Sequence, residues 1–362
     1  MHFNQLKKKI RPLLDSGISI ELISPPGLGK STFVDDTIAV QSKVDGKKWG
    51  RSVLFLATQT PPDLIGYIMK GEMKLADGRV IPISQPTLPG WMITSEGNPV
   101  WEYERGVLLL DEYGQGEADV KRASAELLLN RQLGPWKLPP GWSVIACSNR
   151  ASDRSGVTKS FDFVINRREE IHITPDLQSF EDWAFAKGVH PLFIAFANQH
   201  PQVVFEGKVP DKQGPWCTPR SLVMLEKMFR ALSEDGGATM PDDADANELA
   251  AGMIGEAATA QLLTFIRLGN EMPKYEDIVK NPGAVKVPER PDARMLVTYN
   301  LAARVTRPDA NAVVTYMERM PKEFAVTFCK SACKRDPQLI FESSLQKWSE
   351  KNASLLTVLV GG

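Results

Sequence analysis

A glycine-rich turn followed by a lysine and two hydroxyl residues is the first feature of this sequence that could do chemistry. The segment Ser24–Thr32 reads Ser-Pro-Pro-Gly-Leu-Gly-Lys-Ser-Thr. Glycines let the backbone curl so that successive N–H groups converge on an anion. A lysine can then reach the β- and γ-phosphates of a nucleotide, and a serine hydroxyl can bind Mg²⁺. The segment therefore predicts a phosphate-binding loop for Mg²⁺ and ATP, formed by Pro26, Gly27, Leu28, Gly29, Lys30, Ser31 and Thr32.

The elements around this loop strengthen the prediction. The β-branched run 18–23 predicts a strand directly before the loop, and residues 30–41 predict a helix directly after it. The N-terminus of that helix would add its positive dipole end to the site. A Gly-x-Gly-Lys-Ser/Thr run arises by chance in on the order of one per cent of chains this long, before this context is required. The sequence departs from the full pattern at Ser24, where a glycine is usual, but this change removes no phosphate contact.

A pair of carboxylates at the end of a buried strand is the second chemical signal. Four apolar residues, 107–110, precede Asp111 and Glu112. In open α/β sheets ligands bind at the carboxyl ends of the strands. Asp111 is expected to hold Mg²⁺ together with Ser31, while Glu112 orients and deprotonates the attacking water.

The strands and helices that the sequence predicts around these groups indicate an α/β fold. Strands are expected at 18–23, 52–57, 107–111, 142–147 and 170–173, with helices between most of them, which indicates a parallel sheet covered on both faces. Beyond residue 176 helical periodicity takes over, with helices expected at 177–187, 219–232, 247–268, 292–305, 311–320 and 322–335. Loops are expected at 233–245 and 273–291. We predict an α/β nucleotide-binding domain (1–175), a helical lid (176–272) and a helical C-terminal extension (273–362).

The composition limits the class of protein. The 362 residues include 43 Lys and Arg against 44 Asp and Glu, and this balance argues against a protein built mainly to coat nucleic acid. The four cysteines lack partners at zinc-ligand spacing and are expected to be reduced thiols. Residues 1–4 lack the apolar stretch of a signal peptide, and no apolar run approaches about 20 residues, so no membrane association is expected and the predicted location is the cytoplasm.

At these motifs the chain resembles the AAA+ ATPases and, among them, the MoxR-like branch. The resemblance covers roughly residues 15–235. It implies that Asn149 acts as sensor 1 near the γ-phosphate and that Arg220 acts as sensor 2 from the lid. It also implies an arginine finger at Arg167, with Arg168 as the alternative. Arg150 stands where relatives often carry proline, and it has no expected role.

The segment 61–105 is also MoxR-like: residues 62–66 resemble the start of the second helix in that branch, and the insertion that follows them resembles the one that marks the MoxR-containing clade. Asp77-Gly78 between two short strand-like runs predicts a β-hairpin there. In AAA+ proteins the arginine finger comes from the neighbouring subunit, so the resemblance implies a homo-oligomeric ring, expected to be a hexamer. Each active site would then be complete only in the assembly.

The sequence leaves three functions open. The first is a MoxR-type ATPase that remodels a protein partner or complex, often with a von Willebrand factor A-type protein; near-neutral charge and the insertion favour it. The second is a nucleic-acid-directed motor of the McrB-like kind, for which Lys70, Lys74 and Arg79 could supply basic groups. The third is a scaffold that binds nucleotide without hydrolysis, and the presence of Glu112 argues against it. The preference for ATP over GTP has no sequence signal.

Overall fold

The chain divides into two units, Met1–Pro175 and Asp176–Gly362. The computed structural model describes residues 1–153, 156–157, 162–206, 210 and 213–352. In these ranges no helix is both long and apolar enough to cross a membrane. No disulfide joins the four cysteines, all of which are described.

A parallel sheet is the centre of the first unit. The strands of this unit are β1 (Ser19–Ser24), β2 (Trp49–Phe55), β3 (Ile68–Lys74), β4 (Val80–Pro86), β5 (Arg105–Asp111), β6 (Gln132–Leu133), β7 (Trp136–Lys137), β8 (Trp142–Asn149) and β9 (Arg168–His172). Five of them form the sheet in the order β2-β5-β8-β1-β9, and every neighbouring pair is parallel. The carboxyl ends of β5, β8 and β1 therefore lie side by side at one edge.

Successive residues of a strand point to opposite sides of the sheet, so a run of apolar residues has to be buried on both faces. Helices accordingly cover both faces of this sheet. The helices are α1 (Phe3–Asp15), α2 (Lys30–Asp45), α3 (Pro61–Ile65), α4 (Ala118–Asn130) and α5 (Asp162–Ile165). Val107 and Leu109 pack in one core with α1 and α2, whereas Leu108 and Leu110 pack in a second core with α4. The apolar run 107–110 is thus buried on both faces, as a central parallel strand requires.

The predicted hairpin is present as the antiparallel pair β3 and β4. Met73 pairs with Ile81 and Lys74 with Val80, and Gly78 takes a φ of 87° in the connecting loop. Its residues are exposed or half-buried, so neither face of the ribbon packs fully against the first unit.

The second unit is helical throughout its described part. Its helices are α6 (Leu177–Ala186), α7 (Pro191–Gln199), α8 (Pro201–Val204), α9 (Pro219–Leu232), α10 (Ala244–Ile254), α11 (Glu256–Asn270), α12 (Tyr275–Lys280), α13 (Pro291–Arg304), α14 (Ala310–Met317), α15 (Lys322–Arg335) and α16 (Ser343–Lys351). Helix α13 contributes Leu296 and Tyr299 to one core and Val297 and Leu301 to another. The predicted class, a parallel α/β sheet followed by a helical region, is confirmed. The predicted subdivision near residue 272 stays a prediction.

Two expectations for the second unit were wrong. The single helix expected at 247–268 is broken at Gly255, whose φ of 82° lies in the left-handed region. A Cβ there would come within 2.8 Å of the Pro215 carbonyl oxygen, so this position needs a glycine. The expected loop 273–291 contains α12, because Tyr275 and Ile278 pack into the second core of this unit.

Candidate functional site

The phosphate loop joins the end of β1 at Ser24 to the start of α2 at Lys30. Gly27 has a φ of 74° and Gly29 a φ of 93°, so both take the left-handed backbone that side chains disfavour. A Cβ on Gly29 would meet only Thr32 Cβ at 4.0 Å, so the requirement for glycine there is conformational rather than steric. The first turn of α2 has N–H groups without partners inside the helix, and such groups suit an anion.

Lys30 is almost buried at the base of this loop, although lysine is rarely buried without partners. Its Nζ donates to Asn149 Oδ1 at 2.9 Å and to Ser24 Oγ at 3.1 Å. The carbonyl oxygens of Ser24 and Pro25 each lie 3.4 Å away. The ammonium is therefore held by neutral oxygens, which phosphate oxygens could replace with stronger, charge-assisted bonds.

Ser31 and Asp111 meet although 80 residues separate them. Ser31 Oγ donates a hydrogen bond of 2.7 Å to Asp111 Oδ2. One hydroxyl and one carboxylate fit Mg²⁺, a hard cation that takes few protein oxygens and keeps several waters. Tertiary folding thus brings together the two residues expected to hold the metal.

Glu112 follows Asp111 in an unusual backbone conformation. Of the described residues other than glycine, two have a positive φ, Glu112 at 50° and Arg131 at 55°. Such a conformation costs on the order of 1 kcal/mol or more and clusters at functional sites. The Glu112 N–H donates to Asp111 Oδ1 at 3.0 Å, and the Glu112 side chain is exposed. The turn therefore presents this carboxylate to solvent beside the Ser31–Asp111 pair.

Asn149 ends β8, the strand between β5 and β1. It pairs in register with Ser24, the last residue of β1, and its amide oxygen accepts from Lys30. The neighbouring strand β5 ends at Asp111. The residues predicted for the phosphate loop, the metal, the water and sensor 1 therefore lie at one edge of the sheet.

Arg168 occupies a different environment from the one expected for an arginine finger. Its side chain is 3% exposed and forms a buried ion pair with Glu21 on β1. Its Nη2 also lies 2.9 Å from Glu170 Oε1. This buried pairing favours a structural part for Arg168 within its own unit, and the assignment of the finger to Arg167 or Arg168 stays a prediction. Arg167, in the turn before β9, is half-buried.

Arg220 belongs to the second unit, in the first turn of α9, and its side chain is exposed. Thr218 caps this helix: its Oγ1 accepts from the Ser221 N–H at 3.1 Å, and Pro219 occupies the first turn. The expected reach of Arg220 to a γ-phosphate stays a prediction.

Sequence reasoning missed a set of buried polar groups beneath this edge of the sheet. Glu21 and Lys121 are almost fully buried. Burial lowers the pKa of Lys121 to about 8, and the nearby Glu21 carboxylate partly offsets that effect. Burial also raises the pKa of Tyr113 to about 12. A glutamate between Ile20 and Leu22 in an apolar strand was the available signal, because a buried carboxylate needs a partner.

The chain has weak similarity to some solved structures. Protein-family models gave no match, and neither did curated proteins. Similar solved structures include a mutant of RuvB from Thermotoga maritima, with 14% identity and a TM-score of 0.38 over 77% of this chain and 75% of that one. NtrX from Brucella abortus in complex with ADP has 15% identity and a TM-score of 0.37 over 97% of this chain and 68% of that one. Similarity this weak carries no functional information.

Proposed function

We propose that this chain is an AAA+-type ATPase of the MoxR branch, which binds Mg·ATP in the phosphate loop and hydrolyses its terminal phosphoanhydride bond. One observation carries the proposal: Ser31 Oγ lies 2.7 Å from Asp111 Oδ2, beside a glycine loop whose lysine is held by Asn149. A glycine-rich turn that arose by chance would not be expected to place its serine hydroxyl beside a carboxylate at the end of another strand.

Each residue has a distinct part in the proposed reaction. Loop N–H groups and Lys30 bind the phosphates, and Ser31 and Asp111 hold the metal. Mg²⁺ neutralises charge on the phosphates when it is bound. Glu112 takes the proton of the attacking water, and its exposed carboxylate next to Asp111 supports that part. Asn149 orients the water or the γ-phosphate from its place beside Lys30.

The proposed enzyme works as a ring, with Arg167 supplied to the site of a neighbouring subunit. Arg167 is the proposed finger rather than Arg168, because Arg167 is half-buried whereas the Arg168 side chain is buried against Glu21. An arginine at the transferring phosphoryl group stabilises charge that develops in the transition state. Arg220 would contribute from the second unit. A hexamer is the expected assembly.

The proposed target is a protein partner or complex rather than nucleic acid, with a von Willebrand factor A-type protein as one candidate. On the exposed hairpin Glu72 stands between Lys70 and Lys74, and Arg79 pairs with Asp77 at 2.8 Å. These carboxylates offset the basic groups that a nucleic-acid motor would need. We keep the cytoplasm as the expected location.

Glu112→Gln tests the hydrolytic step, because the amide keeps the shape of the side chain but cannot accept the proton. We expect ATP to bind within about twofold of the native affinity while turnover falls by about a hundredfold or more. The assays are calorimetry with Mg·ATP and phosphate release. Glu102→Gln, at another exposed position of the same unit, is the control and should keep both properties. Native-like turnover of Glu112→Gln would refute the assigned role.

The nature of the target can be tested with the same phosphate assay. Duplex or single-stranded DNA and RNA should leave the rate unchanged at low salt if the target is a protein. Strong stimulation that disappears as salt increases would instead favour the nucleic-acid motor.

A further inference from the structure

A buried polar network lies directly beneath the candidate site. The buried polar network consists of Glu21, Tyr113, Lys121, Ser148 and Arg168. Both carboxylate oxygens of Glu21 are engaged: Oε1 accepts from Ser148 Oγ on β8 and Oε2 from Arg168 Nε on β9. Glu21 thus ties its own strand, β1, to both neighbouring strands through side chains as well as through the backbone ladder.

The network continues to the turn after β5. The Arg168 guanidinium lies 5.4 Å from the centre of the Tyr113 ring, and Lys121 Nζ lies 5.8 Å from it. Lys121 Nζ also donates to the Gly114 carbonyl oxygen at 2.7 Å. These contacts hold the short turn Tyr113–Gln115, which begins just after Glu112.

Three members of the network are sequence neighbours of three residues that the proposed function assigns to catalysis. The neighbouring pairs are Glu112 with Tyr113, Ser148 with Asn149, and Arg167 with Arg168. Glu112 and Asn149 would serve the subunit's own nucleotide, whereas Arg167 would serve the site of the neighbour. The network therefore connects the backbone at Glu112 and Asn149, which would act on the subunit's own nucleotide, to the backbone at Arg167. Arg167 would act on the nucleotide of the neighbouring subunit.

We propose that Glu21 and Arg168 are positioning residues that fix Arg167 relative to Asn149 and Glu112 and so couple adjacent active sites. The inference rests on the proposed function. Both side chains of the pair are at least 95% buried, so removing the Glu21 charge leaves the buried Arg168 guanidinium with less compensating charge, although Glu170 still lies 2.9 Å from its Nη2. The backbone would move to relieve that cost, and the three adjacent catalytic groups would move with it, while the loop that binds phosphate stays in place.

Rings assembled from two inactive variants can test separately the two active sites that the network would connect. A donor, Lys30→Ala, keeps Arg167 but binds ATP about ten- to a hundredfold more weakly, so its own site stays empty at an ATP concentration well below its dissociation constant. An acceptor, Arg167→Ala, binds nucleotide but lacks the finger. Neither should hydrolyse ATP alone, and their mixture should recover activity. Adding Glu21→Gln to the donor then reports only the placement of Arg167, because the donor's own site is already empty. We expect the recovered rate to fall by about tenfold, the size of a strong coupling between neighbouring groups.

Adding Glu102→Gln to the donor is the matched control and should leave the recovered rate unchanged. A recovered rate within about twofold of the original mixture with the Glu21→Gln donor would overturn the inference while the proposed function stands. No recovery in the unmodified mixture would instead overturn the shared site, and the inference with it.

Ser148→Ala provides a second test that leaves every buried charge paired, so it does not depend on the folding of Glu21→Gln. Placed in the acceptor, it should lower the recovered rate by about fivefold, the worth of one hydrogen bond, with ATP affinity unchanged. A role in stability alone would lower the melting temperature and leave the rate per bound nucleotide unchanged, and that result would also overturn the inference.

Discussion

Replacing Lys30 with alanine should weaken ATP binding without unfolding the protein. The change removes the ammonium group from the base of the phosphate loop. Ser24 Oγ and Asn149 Oδ1 would lose a donor, but a water molecule in the space left by the lysine side chain can replace it, most readily at the part-buried Asn149 contact. The fold should therefore persist, and the melting temperature should stay close to that of the native chain.

The size of the effect follows from the contacts of Lys30. In the free protein the ammonium already donates to neutral oxygens at 2.9–3.4 Å, so nucleotide binding exchanges bonds rather than creating them. A hydrogen bond to a charged group contributes about 1.5–3 kcal/mol. Losing one such bond corresponds to a fall in ATP affinity of about ten- to a hundredfold.

Calorimetric titration with Mg·ATP measures this change directly. Lys43→Ala is the matched control, because Lys43 lies in the last turn of the same helix with an exposed side chain and should bind ATP as the native chain does. If Lys30→Ala keeps its affinity within about twofold of the control, the loop does not bind the triphosphate and the reasoning fails.

Three further predictions follow from the structure. Gly29→Ala, at a φ of 93°, should lower the free energy of unfolding by about 1–2 kcal/mol and weaken ATP binding, while Gly46→Ala, at a φ of 67° beyond the site, should lower only stability; denaturant titration and calorimetry measure both. Ser31→Ala should raise the Mg²⁺ concentration needed for half-maximal phosphate release, and an unchanged requirement would exclude the hydroxyl as a ligand. Burial lowers the pKa of His190 to about 4, below its value of about 6.5 in an unfolded chain. The unfolded state therefore binds the proton first, and stability falls by at most roughly 3 kcal/mol as pH drops from about 6.5 to 4. Urea titrations across this range should show a weaker fall for His190→Gln, and an equal fall would count against this origin.

The strongest parts of the site could be predicted because their information is local. The phosphate loop depends on glycines, a lysine and hydroxyls that are consecutive in the chain, and on a strand and helix that directly flank them. The apolar run before Asp111 likewise predicts a buried strand from its own residues. The sequence also determined the alternation of strands and helices, which predicts the parallel central sheet of the first unit.

Tertiary structure decided which distant groups meet. Only folding brings Ser31 to Asp111 and Lys30 to Asn149, because the strand order sets which strand ends are neighbours. It also buried the Arg168 side chain, whereas its neighbour Arg167 is half-buried, and the sequence alone does not distinguish the two. A charged side chain can be buried only where a partner offsets the loss of water. One carboxylate partner of Arg168, Glu21, is 147 residues away along the chain, so no local sequence pattern could predict this pair.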